Sequence, residues 1–161
     1  MLPVRFVIPI EQMWGDDPEE TETLRSMAAE ATRFISSFSW CGSIEAAYFG
    51  AGVGKIIAIF FFLIRPHSTG SMDRALWVIV GDIPPAYLVT DFSKTPSEAL
   101  RTYIHEMKRW VELAKKGRSS SDVIPVNVPA TPKWAKEFSG RLKFLEQNLL
   151  PRFYEDEQIR A

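Results

Sequence analysis

The side chains of this chain that could do chemistry are few, because its 161 residues include only two histidines and one cysteine. A zinc site needs at least three ligands at suitable spacing, and Arg109 stands where a zinc-binding helix starting at His105 would need a second histidine. We therefore predict no metal and no cofactor. Cys41 follows a predicted helix end, where the helix dipole disfavours a thiolate. We expect it to be a small buried residue and not a nucleophile.

A glycine-rich stretch, residues 50–55, ends in Lys55 and suggests phosphate binding. Phosphate loops lead into a helix whose first N–H groups meet the anion, but a strongly β-forming run follows here. The glycine spacing also fits neither the phosphate loop nor the dinucleotide fingerprint. We interpret residues 50–54 as a flexible connection between two strands. The chain has no Gly-x-Ser-x-Gly motif that would indicate a serine nucleophile either.

The most site-like segment is residues 81–87, where two prolines stiffen the chain around an acid and a tyrosine. A second rigid segment, residues 124–129, holds a polar asparagine among valines and prolines. In a cleft between sheet and helices, these residues and two from a neighbouring predicted helix would be the polar groups. The candidate ligand-binding residues are Asp82, Tyr87, Arg101, His105 and Asn127. The alternative interpretation is that the prolines only fix the direction of the chain.

The net charge of −1 indicates no class of partner, but the charges are unevenly distributed. Residues 1–50 carry eight acidic and three basic side chains, a balance of −5, whereas residues 94–143 carry eleven basic and five acidic ones, a balance of +6. Basic residues on the predicted second helix could bind an anion or an acidic protein, or be a solvated face of intrahelical ion pairs. Besides Arg101 and His105, they are Lys108, Arg109 and Lys115. Nucleic acid is a disfavoured partner, because the aromatic residues lie mainly in apolar stripes.

The elements that position these residues form a predicted α+β fold. Apolar residues recur at helical spacing after an N-cap and a proline, which predicts helices over about residues 18–38, 95–117 and 131–151. Strands are predicted at 43–49, 55–65, 74–81 and 86–90, and their short connections favour antiparallel pairing. The fold is thus a four-stranded antiparallel meander in the order α-β-β-β-β-α-α. It gains a fifth strand if residues 3–10, which contain two prolines, form an edge strand.

Residues 1–151 are predicted to be one domain, with a polar, frayed tail at 152–161. The strand at 55–65 is apolar on both faces, so helices of this chain or a second subunit must cover both sides. Its nine-residue apolar core is too short to span a membrane. The single cysteine and the lack of a signal peptide at the N-terminus indicate a cytoplasmic protein.

No reaction class has its residues assembled in this sequence, so we lean against an enzyme. Apolar sheet faces and opposed charge patches favour a non-catalytic protein-interaction module, which binds another protein or forms a homodimer. The alternative is a small-molecule-binding protein or enzyme, whose cleft would use Asp82, Tyr87, Arg101 and His105.

Overall fold

The computed structural model describes residues 5–67, 75–91 and 93–160, and its centre is a five-stranded antiparallel sheet. The strands are β1 (Ile8–Pro9), β2 (Cys41–Val53), β3 (Ile57–Pro66), β4 (Ala75–Gly81) and β5 (Ala86–Val89). Each strand pairs with the next one along the chain, so the order is β1-β2-β3-β4-β5. This confirms the predicted meander with the N-terminal segment as an edge strand. It places β1 and β5 at opposite edges.

The helices are α1 (Pro18–Ser36), α2 (Pro96–Ala114), α3 (Pro132–Phe144) and α4 (Leu150–Arg160). The first three begin as predicted, with a proline in the first turn and a side-chain oxygen that accepts a hydrogen bond from the N–H three residues later. The capping residues are Asp17, Thr95 and Thr131. No helix within the described residues is long and apolar enough to cross a membrane.

Helices of this chain cover both faces of the sheet. On β3, Ile57, Ile59 and Phe61 pack in one core with residues of α2, α3 and α4, and all three are fully buried. Their neighbours Phe60 and Phe62 point the other way, into a second core with α1, and are also fully buried. The sheet therefore needs no second subunit to bury its faces. The predicted homodimer loses that argument and remains a prediction.

Strand β2 is longer than predicted, because most of the glycine-rich stretch belongs to the strand. The glycines serve close packing: a Cβ atom on Gly50 would lie 2.8 Å from Cγ of Pro96, in the first turn of α2. The interpretation of residues 50–54 as a flexible connection is thus wrong. The actual turn to β3 is short, and Lys55 in it has a positive φ of 70°.

The prediction that Pro151 ends the last helix and that residues 152–161 fray is wrong for residues 152–160. A π-helical turn, Leu145–Leu149, joins α3 to α4, and this wider turn just before Pro151 accommodates a residue that lacks an N–H group. Helix α4 is docked on the domain, since Phe153 and Glu157 are 4% and 5% exposed. Residue 161 lies outside the described ranges.

Candidate functional site: a groove at the β5 edge

A groove of about 530 Å³ runs along β5, and we call it the β5 groove. One wall comes from the end of α1, the other from the connection between α2 and α3, and β5 lies between them. The apolar side chains that shape it include Phe34, Phe38, Tyr87, Leu88, Ile124 and Val126. Among the described residues that line it, only Glu106 and Asp122 are charged, and both are acidic. The groove thus combines an apolar lining with a negative rim.

Strand β5 forms the floor of this groove, because its side chains alternate between the two layers of the protein. Tyr87 and Val89 pack on the α1 side, whereas Ala86 and Leu88 pack on the α2 side. One edge of β5 pairs with β4, with Tyr87 opposite Val78. In the described part of the chain no strand pairs with the other edge. Alternate backbone N–H and C=O groups of β5 therefore face the groove.

The α1 wall is an aromatic cluster that holds the ring of Tyr87. The Tyr87 centroid lies 5.1 Å from those of Phe38 and Trp40, in edge-to-face geometry with both. Phe34 meets Phe38 edge-on, with 5.2 Å between centroids. Such aromatic pairs stabilise their mutual arrangement beyond simple burial. This wall is therefore preorganised.

The opposite wall is the extended segment 124–129, whose alternation resembles that of a strand. Ile124, Val126 and Val128 are partly buried against the core, while Pro125 and Asn127 are exposed. The prolines hold the residues before them in extended conformations. The segment thus stays beside β5.

Two buried side-chain donors fix the chain on either side of β5. The Tyr103 hydroxyl donates to the Pro84 carbonyl at 2.6 Å, just before the strand. The indole Nε1–H of Trp77 donates to the Ser93 carbonyl at 2.9 Å, just after it. Burial raises the pKa of Tyr103 well above its ordinary value, so its hydroxyl stays protonated and keeps donating. The exposed edge of β5 is therefore rigidly supported from behind.

Of the five candidate ligand-binding residues, the structure brings Tyr87 and Asn127 together in the β5 groove. Asp82 lies elsewhere, where Arg141 of α3 approaches its carboxylate at 3.5 Å and donates to its backbone carbonyl at 3.3 Å. Arg101 and His105 are exposed on α2 and do not line the groove. The structure thus gives Asp82 a role in joining α3 to the β4–β5 turn.

Three residues of the basic row on α2 form ion pairs. Lys108 pairs with Glu146 at 2.8 Å, and Lys115 pairs with Glu112 at 3.0 Å. Arg109 pairs at 3.0 Å with Glu106, which lines the β5 groove. The Arg109 and Lys115 pairs are intrahelical, as in the alternative interpretation of a solvated face, whereas the Lys108 pair joins α2 to the π-helical turn. They offset much of the positive charge of the row.

Sequence reasoning missed most of the groove. The spacing of Phe34 and Phe38 places them in the apolar stripe of α1, and only the number of large residues near the helix end hints that some extend past the sheet. Nothing in the sequence indicates that Glu106 and Asp122 line one groove, because they belong to separate elements that only tertiary packing brings together.

Two further findings concern the cysteine and the metal-binding side chains of the described residues. Cys41 is 7% exposed, and burial raises the pKa of its thiol, which disfavours a reactive thiolate. Within the described ranges, no three His, Cys, Asp or Glu side chains lie close enough together to hold a metal ion. The β5 groove offers apolar surface, a strand edge and two carboxylates.

No family model matches the chain, and neither a curated protein nor a solved structure matches it. The function must therefore be argued from the geometry of the groove.

Proposed function

We propose that this protein is a non-catalytic protein-interaction module, and that its β5 groove receives an extended segment of a partner protein. The observation that carries the proposal is the strand edge of β5 at the floor of an apolar groove. A segment laid along such an edge extends the sheet through main-chain hydrogen bonds, while alternate side chains enter pockets on either side. The aromatic α1 wall and the 124–129 wall supply those two sets of pockets.

The charge of the groove favours a partner segment with a basic side chain. Among the described residues that line the groove, Glu106 and Asp122 are the only charged ones, so the lining itself is negative, although Arg109 beside Glu106 offsets part of that charge. Electrostatic complementarity of this kind selects the right partner and suppresses acidic ones. The preferred occupant is therefore an extended segment that combines apolar residues with lysine or arginine.

A second copy of this chain fits the groove less well than a separate segment does. Pairing β5 with β5 would need two strands to approach, each of which lies between the same two walls. The two acidic rims would also meet in a symmetric dimer, because a twofold interface brings the same patch together from both sides.

One observation favours the alternative of a small-molecule ligand. A volume of about 530 Å³ lies within the range of about 300–1,000 Å³ that is typical of ligand pockets. In that case an apolar cation would be the expected ligand, since the same carboxylates would pair with it.

Selection from a random library of displayed twelve-residue peptides tests the proposal. We expect the protein to enrich peptides with alternating apolar residues and at least one basic residue. Asn127→Trp should abolish the enrichment, because Asn127 is exposed and lines the groove. Ser119→Trp is the matched control, exposed in the same α2–α3 connection but outside the groove, and should keep it.

Failure of the library to enrich any peptide would contradict the proposal, as would equal binding by the Asn127→Trp protein. A small apolar cation that raises the melting temperature of the wild type, but not of Asn127→Trp, would then support the alternative. A concentration-dependent dimer that Asn127→Trp disrupts would instead identify a second copy as the occupant.

A further inference from the structure

Glu106 lies where the β5 groove meets the ion pairs of α2. We infer that Glu106 selects a basic side chain of the partner segment, and that Arg109 of this chain competes for the same carboxylate. The inference rests on the proposed function and goes further, because it names the residue that binds the partner's basic side chain and the residue that competes with that side chain.

The contact between Arg109 and Glu106 is short but accessible. Nη1 of Arg109 lies 3.0 Å from Oε2 of Glu106, and the two side chains are 46% and 29% exposed. Residues three apart on an exposed helix form weak, screened ion pairs. An incoming basic side chain can therefore replace Arg109 at little cost.

Glu106 is distinguished from the other paired carboxylates of this surface by its position. Glu112 and Glu146 also pair with basic residues of α2, but neither lines the β5 groove. Glu106 does, and its side chain is the least exposed of the three at 29%, against 68% and 45%. A charge pair formed there lies against apolar surface, where water screens it less.

Asp122, in the connection between α2 and α3, completes the acidic rim. Its backbone N–H donates to the Ser120 hydroxyl at 3.1 Å, which fixes the local turn. Its carboxylate takes part in none of the ion pairs of the described residues. A basic side chain in the groove thus meets one carboxylate that has no ion-pair partner among the described residues and one whose partner must be displaced.

This arrangement makes an unusual prediction, namely that removing a basic residue of the protein strengthens its binding to a basic peptide. The probe is the twelve-residue peptide most enriched on the wild-type protein, titrated by calorimetry. We expect Arg109→Ala to tighten binding about two- to fivefold, the range that an exposed ion pair allows. Glu106→Gln should weaken it by a similar factor. In the Glu106→Gln background, Arg109→Ala should change nothing.

Lys115→Ala is the matched control. Lys115 also pairs with a glutamate three residues before it on α2, at the same 3.0 Å, but away from the groove. Lys115→Ala removes the same charge as Arg109→Ala, so any gain in affinity from it measures the general attraction of a basic peptide. We expect that gain to be marginal at most. Replacing the basic residues of the peptide with glutamine should abolish the gain from Arg109→Ala.

Equal effects of Arg109→Ala and Lys115→Ala would overturn the inference, as would a gain that persists with Glu106→Gln. In either case the peptide still binds, so the proposed function stands. If the library yields no peptide, or Asn127→Trp fails to block the one it yields, the proposed function is itself contradicted and the inference falls with it.

Discussion

At one edge of the sheet, β1 pairs only Ile8 and Pro9 with β2, and Pro9 has no N–H group to offer. At the other edge, β5 presents four residues without a charge or a proline. Edge strands usually carry such features as prolines, charges or very short length, because these prevent unwanted pairing. By this criterion the β1 edge is protected and the β5 edge is not.

The carboxylates near the two edges differ in the same way. Glu157 lines a cleft beside β2, the neighbour of β1, and is 5% exposed. It accepts hydrogen bonds from the N–H and the hydroxyl of Ser97, at 2.7 and 2.6 Å, where α2 begins. Glu106, at the β5 groove, has one accessible partner. A buried carboxylate whose contacts are complete holds the fold, whereas an accessible one beside apolar surface is available to a partner.

Of the substitutions that test this comparison, the replacement of Glu157 is expected to have the largest effect, a loss of stability. Glu157→Ala leaves the buried Ser97 N–H without its acceptor and the Ser97 hydroxyl with only the longer contact to Thr95 Oγ1, at 3.3 Å, and should lower the free energy of unfolding by about 2–3 kcal/mol. Denaturant titration measures this loss. Glu155→Ala, an exposed change on the same helix, is the control and should alter stability little. A loss under about 0.5 kcal/mol for Glu157→Ala would mean that water replaces the contact, and that this side is less closed than we describe.

The support behind β5 is tested by Tyr103→Phe. The change leaves the Pro84 carbonyl without its donor and should reduce stability by about 1–2 kcal/mol near pH 8. Because burial raises the Tyr103 pKa, the folded protein keeps the phenol protonated above pH 10, whereas the unfolded chain ionises it near pH 10. Tyr103 therefore makes wild-type stability fall as the pH rises above 10. Urea unfolding at pH 8 and pH 11 should show a smaller fall for Tyr103→Phe, and an equal fall would contradict this role.

Blocking each edge in turn tests which one binds. Asn127→Trp, in the β5 groove, should weaken peptide binding at least about tenfold, which corresponds to about 1.4 kcal/mol. Gln12→Trp, an exposed change in the turn that follows β1, should leave the affinity unchanged. Fluorescence anisotropy of a labelled peptide measures both. The reverse pattern would indicate that the peptide binds at the β1 edge and not at the β5 edge.

The smallest expected effect concerns Lys55, which has a positive φ away from the β5 groove. A lysine there is strained relative to glycine, so Lys55→Gly should raise the free energy of unfolding by about 0.5–1 kcal/mol. Peptide affinity should not change, because the strain lies outside the groove. A change in affinity beyond twofold would indicate that the hairpin tip contributes to binding.

Local sequence signals were sufficient to predict the meander and the helix starts. Asp17 with Pro18, and Thr95 with Pro96, determine helix starts within one turn of chain, and the β-branched and aromatic runs determine the strands. The failures involve distant contacts. Gly50 lies in a strand and packs against Pro96, which is 46 residues away in the sequence. Glu157 is buried in its contact with Ser97, which is 60 residues away. Neither contact can be predicted from the local sequence.

The candidate site was predictable only in part, for the same reason. Tyr87 and Asn127 stood out because prolines stiffen their loops, and both line the groove. Arg101 and His105 stood out by charge type, which does not reveal which side of α2 meets the groove. Glu106 and Asp122 have ordinary sequence surroundings and become notable only when tertiary packing places them on one apolar surface.

Hydrogen exchange at the β5 backbone tests the central claim most directly. The amides of residues 86–89 should be measured with and without the selected peptide, and with a peptide whose alternate backbone nitrogens are methylated. We predict that the unmodified peptide slows exchange at the β5 amides that face the groove, and that the methylated peptide, which cannot complete the strand pairing, does not. Bound peptide that leaves β5 exchange unchanged, or protects only amides near β1, would contradict the account.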